Sequence, residues 1–178
     1  MEAISPLHIG SMRSNFELEN HVTLTSATTF MERLGRWSQS KLIWPMIFGS
    51  GFSEVEFRNL YGPRYNVEKF GLEGIKYSPG QADLLIVTGV VTHKSFVVLE
   101  KLYQNMCSPK WVIALGTEAI SGGLFQNYTH KSDWMKHIPV DVMVPGDPPT
   151  PEAILRSLEM LIERIDLGVR SERENIDV

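Results

Sequence analysis

Cysteine is almost absent from this chain, whose 178 residues include only Cys107. A single thiol excludes an internal disulfide and any metal site that takes two or more thiolates from this chain. No motif of a catalytic cysteine surrounds Cys107, so we interpret it as an ordinary thiol in a turn or a half-buried position. The cysteine content therefore limits which cofactors the chain can hold by itself.

A basic surplus and long apolar runs are also missing. The formal net charge is -4 and the isoelectric point is about 5.7, so neither nucleic acid nor an anionic lipid surface is expected as the main partner. The longest apolar runs, at 43–48 and 84–87, are much shorter than the roughly 20 residues that cross a bilayer. The first ten residues lack the pattern of a secretory signal or a transit peptide. We expect the protein to stay in the compartment where it is made, and to reach a membrane only peripherally or through a partner.

The length and a hydrophobic content of 43% are typical of one domain with a sizeable core. We place this domain at residues 25–168, between an extended N-terminal arm at 1–24 and a polar tail at 169–178. Helical apolar spacing predicts an amphipathic helix from Thr29, which stands with Glu32 at the spacing of a capping box. Two further helices are predicted at 95–106 and 152–165, the second with Thr150 as its cap and Pro151 at its first position.

Three short apolar segments, at 84–88, 111–115 and 140–144, are followed by Gly89, Gly116 and Gly146. They have the pattern of buried parallel strands. Because strands and helices alternate, we predict an α/β fold of the flavodoxin-like kind, with a parallel sheet and helices on both faces. In such folds, sites form beyond the carboxyl ends of the strands.

Two carboxylates follow the predicted strands at the same distance. Glu118 and Asp147 each stand three residues beyond the last apolar residue of a strand, so both side chains could project into the same crevice. With Glu54 and Glu56 they could form a site that binds a hard cation or handles protons, because clustered carboxylates raise one another's pKa. The alternative, which we favour, is that these carboxylates are solvated or paired with cations. The candidate cations are Arg58, Arg64 and Lys94.

Histidines and glycines offer two further candidate sites. The spacing of the histidines matches no known set of metal ligands, so structural or surface roles are expected for His93, His130 and His137. Several glycines could form a nest for a phosphate, but tight loop packing is the favoured interpretation, because the Walker A and dinucleotide fingerprints are missing. These glycines are Gly116, Gly122 and Gly123.

A colinear series of motifs runs from about residue 21 to residue 165. The motifs are Trp-Pro-Met-Ile-Phe-Gly at 44–49, Arg-Tyr at 64–65, Phe-Gly at 70–71, Ser-Pro-Gly-Gln-Ala-Asp at 78–83, the strand at 84–89, Pro-Lys-Trp-Val-Ile-Ala-Leu-Gly at 109–116, Ser-Gly-Gly at 121–123, Ile-Pro-Val-Asp-Val at 138–142 and Val-Pro-Gly-Asp-Pro-Pro at 144–149. Together they resemble the B-subunit family of NADH:quinone oxidoreductase (complex I), which is related to the small subunit of membrane-bound NiFe hydrogenases.

The resemblance implies a 4Fe–4S cluster beside a quinone pocket, held in that family by four cysteines. A Cys-Cys pair follows the Trp-Pro…Phe-Gly motif, a third cysteine follows a strand's glycine, and a fourth lies between Pro-Gly and Pro-Pro. The matching positions here are Phe52, Ser53, Glu118 and Asp147. A phenyl ring cannot ligate iron, and three oxygen donors suit magnesium, calcium or manganese better than iron–sulfide. We therefore predict that the cluster is lost and that no cofactor is bound.

Other positions bear on the quinone role that the resemblance implies. The family usually has arginine where this chain has Gly80. Family likeness suggests that some of a further set of residues line a quinone cavity, although ordinary burial explains them equally well. This set is Trp44, Met46, Phe48, Ile75 and Lys76. Without the cluster, the chain could shape such a cavity but could not deliver electrons to quinone.

Our leading hypothesis is a cluster-less structural or conformational subunit of a complex I-like or membrane hydrogenase-like assembly. It would be an obligate hetero-oligomer that connects a large catalytic-type subunit to a membrane-arm subunit near the quinone cavity, on the cytoplasmic or matrix side of an energy-transducing membrane. The alternative is a redox subunit that passes electrons to quinone through an unorthodox 4Fe–4S cluster, with donors from Ser53, Glu118, Asp147 and a neighbouring chain. A third hypothesis is an acidic hard-metal site of new function.

Overall fold

The computed structural model describes residues 27–124 and 127–167. The pattern of contacts divides the chain into two units, Met1–Gly35 and Arg36–Val178. The N-terminal arm and the polar tail expected from the sequence lie outside the described residues, so both stay predictions.

The first described helix, α1, spans Ala27–Lys41. It begins two residues before Thr29, so the expectation that Thr29 caps this helix is wrong. Alanine is the strongest helix former, and the helical conformation extends back through it. The apolar side chains that predicted the helix are all exposed. They are Phe30, Met31, Leu34 and Trp37.

Four parallel strands form one sheet in the order β1-β2-β3-β4. The strands are β1 Pro45–Phe48, β2 Leu84–Thr88, β3 Trp111–Leu115 and β4 Val142–Val144. In the register of the sheet, Leu84 pairs with Pro45 and with Trp111. Every residue of β2 is buried, as expected for a strand that is covered on both faces.

The three predicted strands are confirmed, with one change of boundary. β4 begins at Val142 rather than at residue 140. Just before β4, the backbone N–H of Asp141 donates to the carbonyl of Val112 at 2.9 Å, and the carboxylate of Asp141 accepts the N–H of Val112 at 2.9 Å. One of the two bonds between these residues therefore uses a side chain. β1 was not predicted.

Helices follow all four strands. They are α2 Phe52–Asn59, α3 His93–Asn105, α4 Thr117–Ser121 and α5 Pro151–Leu167. α5 begins at Pro151 as predicted, and the hydroxyl of Thr150 accepts the N–H of Ala153 at 3.3 Å. α3 begins two residues earlier than predicted because its cap is Thr92, whose hydroxyl accepts the N–H of Ser95 at 3.1 Å.

The core consists of two apolar clusters that involve different helices. One cluster joins Phe57 of α2 and Leu158 of α5 to the sheet. The other joins Leu99 of α3 and Ala119 of α4 to the sheet and includes Trp134, which is fully buried and donates its indole N–H to the carbonyl of Ala119 at 2.8 Å. The predicted α/β fold, a parallel sheet with helices on both faces, is confirmed.

Within the part of the chain that the structure describes, no helix combines the length and apolar character needed to cross a membrane.

Candidate functional site

The loops at the carboxyl ends of β1, β3 and β4 meet at Ser53. Ser53 lies in the first turn of α2 and is 2% exposed. Gly116, directly after β3, has a φ of 91°, and a Cβ atom at this position would lie 2.2 Å from the hydroxyl oxygen of Ser53. Glycine is required here, because it alone combines this backbone conformation with so close an approach. The start of α2 is therefore in direct contact with the loop that follows β3.

Glu118 packs near the loops that follow β1 and β2. It is the second residue of α4 and is 7% exposed. A Cβ atom at Gly51 would lie 2.7 Å from the Oε2 atom of Glu118 and 3.1 Å from the Cα atom of Gly89. The carboxyl group of Glu118 thus packs against the loop between β1 and α2, beside the glycine that ends β2.

The loop after β4 adds a second carboxylate. The backbone N–H of Thr117 donates to the carbonyl of Gly146 at 2.9 Å, so the next residues of the two loops, Glu118 and Asp147, are neighbours. Burial raises the pKa of Glu118, and the negative charge of Asp147 raises it further. Asp147 itself is exposed. The structure brings together the two carboxylates that the sequence placed in one crevice.

These residues do not fit a thiolate-bound iron–sulfur cluster. Phe52 has no donor atom and is 70% exposed, while Ser53, Glu118 and Asp147 offer oxygen where soft sulfur is needed. Cys107 cannot replace the missing thiolates, because it precedes β3 and therefore lies at the opposite end of that strand. Its Sγ atom is 3.6 Å from the carbonyl of Gly80.

The other acidic residues near α2 have local partners. Glu54 forms an ion pair with Arg58, with 2.7 Å between Oε1 and Nη2. Glu56 accepts a hydrogen bond from Asn59 at 3.3 Å. The favoured interpretation of the acidic residues, in which a carboxylate pairs with a cation instead of forming a site, therefore applies to Glu54. In residues 27–124 and 127–167, no three or more His, Cys, Asp or Glu side chains are grouped so that they could hold a metal ion.

The histidines occupy three different environments. His93 is exposed at the start of α3, and His137 packs on Phe96 with 5.3 Å between the ring centres. The Nε2 atom of His130 is buried and has no hydrogen-bond partner among the described residues. A Cβ atom at Gly122 would lie 2.6 Å from the His130 ring, so this glycine permits tight loop packing, as the favoured interpretation proposed.

The five candidate quinone-cavity residues do not share one environment. Met46 is buried in the cluster that includes Leu99, and Phe48 packs against that cluster, whereas Ile75 packs against the other one. Trp44 is 38% exposed, and the ammonium group of Lys76 lies 5.0 Å from the centre of its ring. Met46 and Ile75 therefore pack in the two separate clusters of the core.

Sequence reasoning missed Asp83, which stands between Ala82 and the first residue of β2. Its carboxylate accepts the backbone N–H of Trp44 at 2.7 Å, and burial raises its pKa to about 6. The sequence signal that could have identified Asp83 is an acidic residue directly before a continuous apolar run. A cleft of about 280 Å³ opens beside it, lined in part by Trp44, Cys107 and Trp111.

Comparison with known proteins identifies close similarity over most of the chain. Residues 51–161 match the family described as NADH ubiquinone oxidoreductase, 20 Kd subunit. A B subunit of the NADH-quinone oxidoreductase of Symbiobacterium thermophilum is 44% identical over 139 residues, which are 78% of this chain and 84% of the relative. The B subunit from Aliarcobacter butzleri is 43% identical over 137 residues, which are 77% of this chain and 80% of the relative.

A solved structure shows similarity at the level of the fold and the sequence. A chain of the membrane-bound sulfane sulfur reductase, an archaeal respiratory membrane complex, has a TM-score of 0.74 and 33% sequence identity. The match covers 82% of this chain and 83% of that chain. The family match and the extent of the similarity to the B subunits show that this chain belongs to the B-subunit family of NADH-quinone oxidoreductase, the family of the 20 kDa subunit.

Proposed function

We propose that this protein is a cluster-less structural or conformational subunit of a complex I-like or membrane hydrogenase-like assembly. One observation carries the proposal: the four positions at which the family has cluster ligands hold Phe52, Ser53, Glu118 and Asp147. Two of these side chains, Ser53 and Glu118, are buried where the loops meet. The fold of the family is thus retained while its sulfur donors are replaced.

The chemistry of the donors supports a role without electron transfer. Iron–sulfur clusters depend on thiolates for ligation and charge donation, and ligand identity sets their reduction potential. The serine hydroxyl and two carboxylates are hard donors, and the fourth position has none. A protein with these donors would hold its neighbours in place without passing electrons to quinone.

The relatives support a role inside a larger assembly. The Symbiobacterium and Aliarcobacter proteins are named as subunits of NADH-quinone oxidoreductase, and the structural neighbour comes from a respiratory membrane complex. We propose that this chain likewise joins a large catalytic-type subunit to a membrane-arm subunit. Its association with an energy-transducing membrane would then pass through those partners, on the cytoplasmic or matrix side.

The test is an iron and sulfide count, together with electron paramagnetic resonance, on the assembly purified without oxygen. A matched assembly carries this chain with Phe52→Cys, Ser53→Cys, Glu118→Cys and Asp147→Cys. We expect the unchanged assembly to lack one cluster signal and the matching iron and sulfide that the substituted assembly contains. A cluster bound to the unchanged chain would refute the proposal.

A further inference from the structure

The side chain of Glu118 is largely buried and has no neighbouring positive charge that pairs with it among the described residues. It is 7% exposed, and no described residue donates a hydrogen bond to its carboxylate or forms an ion pair with it. An ionised carboxylate in such a place loses much of its hydration without a hydrogen bond or an ion pair from the described residues, so the neutral form is favoured.

The surroundings of Glu118 reinforce this preference from two directions. Oε2 packs towards Gly51, which presents only backbone, and Gly89 lies behind it. On the other side, the hydrogen bond from Thr117 to Gly146 holds the Asp147 loop against α4. A carboxyl group held beside a like charge and away from solvent binds a proton more tightly than an exposed one.

The charged groups on the neighbouring elements do not offset this effect. On α2, Glu54 is engaged by Arg58, and Glu56 accepts its hydrogen bond from Asn59. The loop after β2 presents glycine, and the next titratable residue there, His93, is exposed. The segment after α4 also lies against Glu118, because a Cβ atom at Gly123 would be 3.6 Å from its Cγ, and a titratable residue of that segment, His130, packs its ring at Gly122. Burial is the largest cause that raises the pKa of Glu118, followed by the charge of Asp147.

We propose that Glu118 and Asp147 form a proton-binding site, in which Glu118 retains a proton at a pH at which exposed carboxyl groups have lost theirs. The proton comes from water and binds to a carboxylate oxygen, which removes one negative charge from the place where three loops meet. No other reactant is needed. The inference goes beyond the proposed function and depends only on groups of this chain.

The test is an infrared pH titration in heavy water of the full chain carrying Asp83→Asn, which removes the other carboxyl group whose pKa burial raises. It follows the carbonyl stretching band of protonated carboxyl groups. We expect a band that persists above the pH range in which exposed carboxyl groups ionise. Glu118→Gln should abolish it. Asp147→Asn should move its midpoint to lower pH, because the like charge is removed. Glu159→Gln, at an exposed position on α5, is the control and should leave the band unchanged.

Three results would overturn the proton site. They are a band that survives in the Glu118→Gln variant, a midpoint that is unaltered in Asp147→Asn, and a band that disappears when calcium or manganese is added because a cation occupies the site. Because Asp147 is exposed, its substitution remains informative even if Glu118→Gln fails to fold. Iron and sulfide are counted on the same samples: a cluster would refute the proposed function, whereas a cluster-free chain without the Glu118 band would refute only the proton site.

Discussion

Gly116 shows how a single residue type maintains the junction at the carboxyl ends of the strands. Its φ of 91° is a conformation that other residues adopt only with strain, and an added Cβ would lie 2.2 Å from Ser53. We predict that Gly116→Ala lowers the free energy of unfolding by about 1–3 kcal/mol, through backbone strain and overpacking. Urea denaturation of the full chain measures this change.

The matched control for this substitution is Gly74→Ala. A Cβ atom at Gly74 would meet nothing within 4 Å, and its backbone is not in the left-handed region. We expect its effect to stay within about 0.5 kcal/mol. Equal losses for the two variants would contradict the role that we assign to Gly116.

Asp83 makes stability depend on pH. Burial raises the pKa of its carboxyl group to about 6, above the value of about 3.9 in an unfolded chain. A group whose pKa is raised by folding stabilises the protein fully below the unfolded pKa, and this contribution is lost as the pH rises through the folded pKa. The contribution of Asp83 should therefore decline between about pH 4 and 6.

We predict that Asp83→Asn removes this part of the pH dependence. The difference is on the order of 1 kcal/mol, because Asp83 is only partly buried and solvent screens its charge. Urea denaturation at a series of pH values measures it. Asp133→Asn is the control, because the neighbouring Lys131 lowers the pKa of Asp133 and its contribution has the opposite sign. If stability fell equally with rising pH in the wild type and in Asp83→Asn, Asp83 would not be the source of this pH dependence.

Among the helices, α3 has the best-defined beginning. The hydroxyl of Thr92 accepts the N–H of Ser95 at 3.1 Å, and the hydroxyl of Ser95 accepts the N–H of Thr92 at 2.9 Å. We predict that Thr92→Ala costs about 1 kcal/mol of stability, since one donor of the first turn loses its partner. Thr150→Ala, which removes a longer bond of 3.3 Å at α5, should cost less in the same urea experiment. A larger loss at Thr150 would contradict this ranking.

The helices and the strand that sequence patterns missed are all short. α2 has eight residues and α4 has five, and neither has a side-chain cap. Such short helices contain too few turns for apolar periodicity to identify them. β1 contains four residues, begins with proline and pairs with β2. Proline is accepted there because β1 lies at the edge of the sheet.

At the scale of the whole molecule, loops from three strands converge on the four positions that the resemblance matches to cluster ligands. We predict that Phe52→Cys, Ser53→Cys, Glu118→Cys and Asp147→Cys together allow a 4Fe–4S cluster to be built into the full chain, because the backbone already brings the loops together. Anaerobic reconstitution, followed by absorbance and an iron and sulfide count, measures this. The unchanged chain treated in the same way is the control and should stay colourless.

Failure of the four-cysteine variant to take up iron and sulfide, while it remains folded, would show that more than the donor atoms has changed. The exposed position of Phe52 makes it the first place to examine in that event. A brown unchanged chain would instead contradict the proposed function.

The sequence by itself determined β2, β3 and α5, because their patterns are long or continuous enough to identify each element locally. It also determined which donor atoms stand at the four ligand positions, since no fold can turn oxygen or a phenyl ring into sulfur. Spacing after the strands further indicated that Glu118 and Asp147 could share a crevice.

Only the tertiary structure decided which of these groups are removed from water. Ser53, Glu118 and Asp83 owe their burial to segments far away in sequence, such as Gly116, Gly51 and Trp44. Hydration and neighbouring charge set the proton affinity of a carboxyl group, and both arise from packing that a linear pattern does not contain.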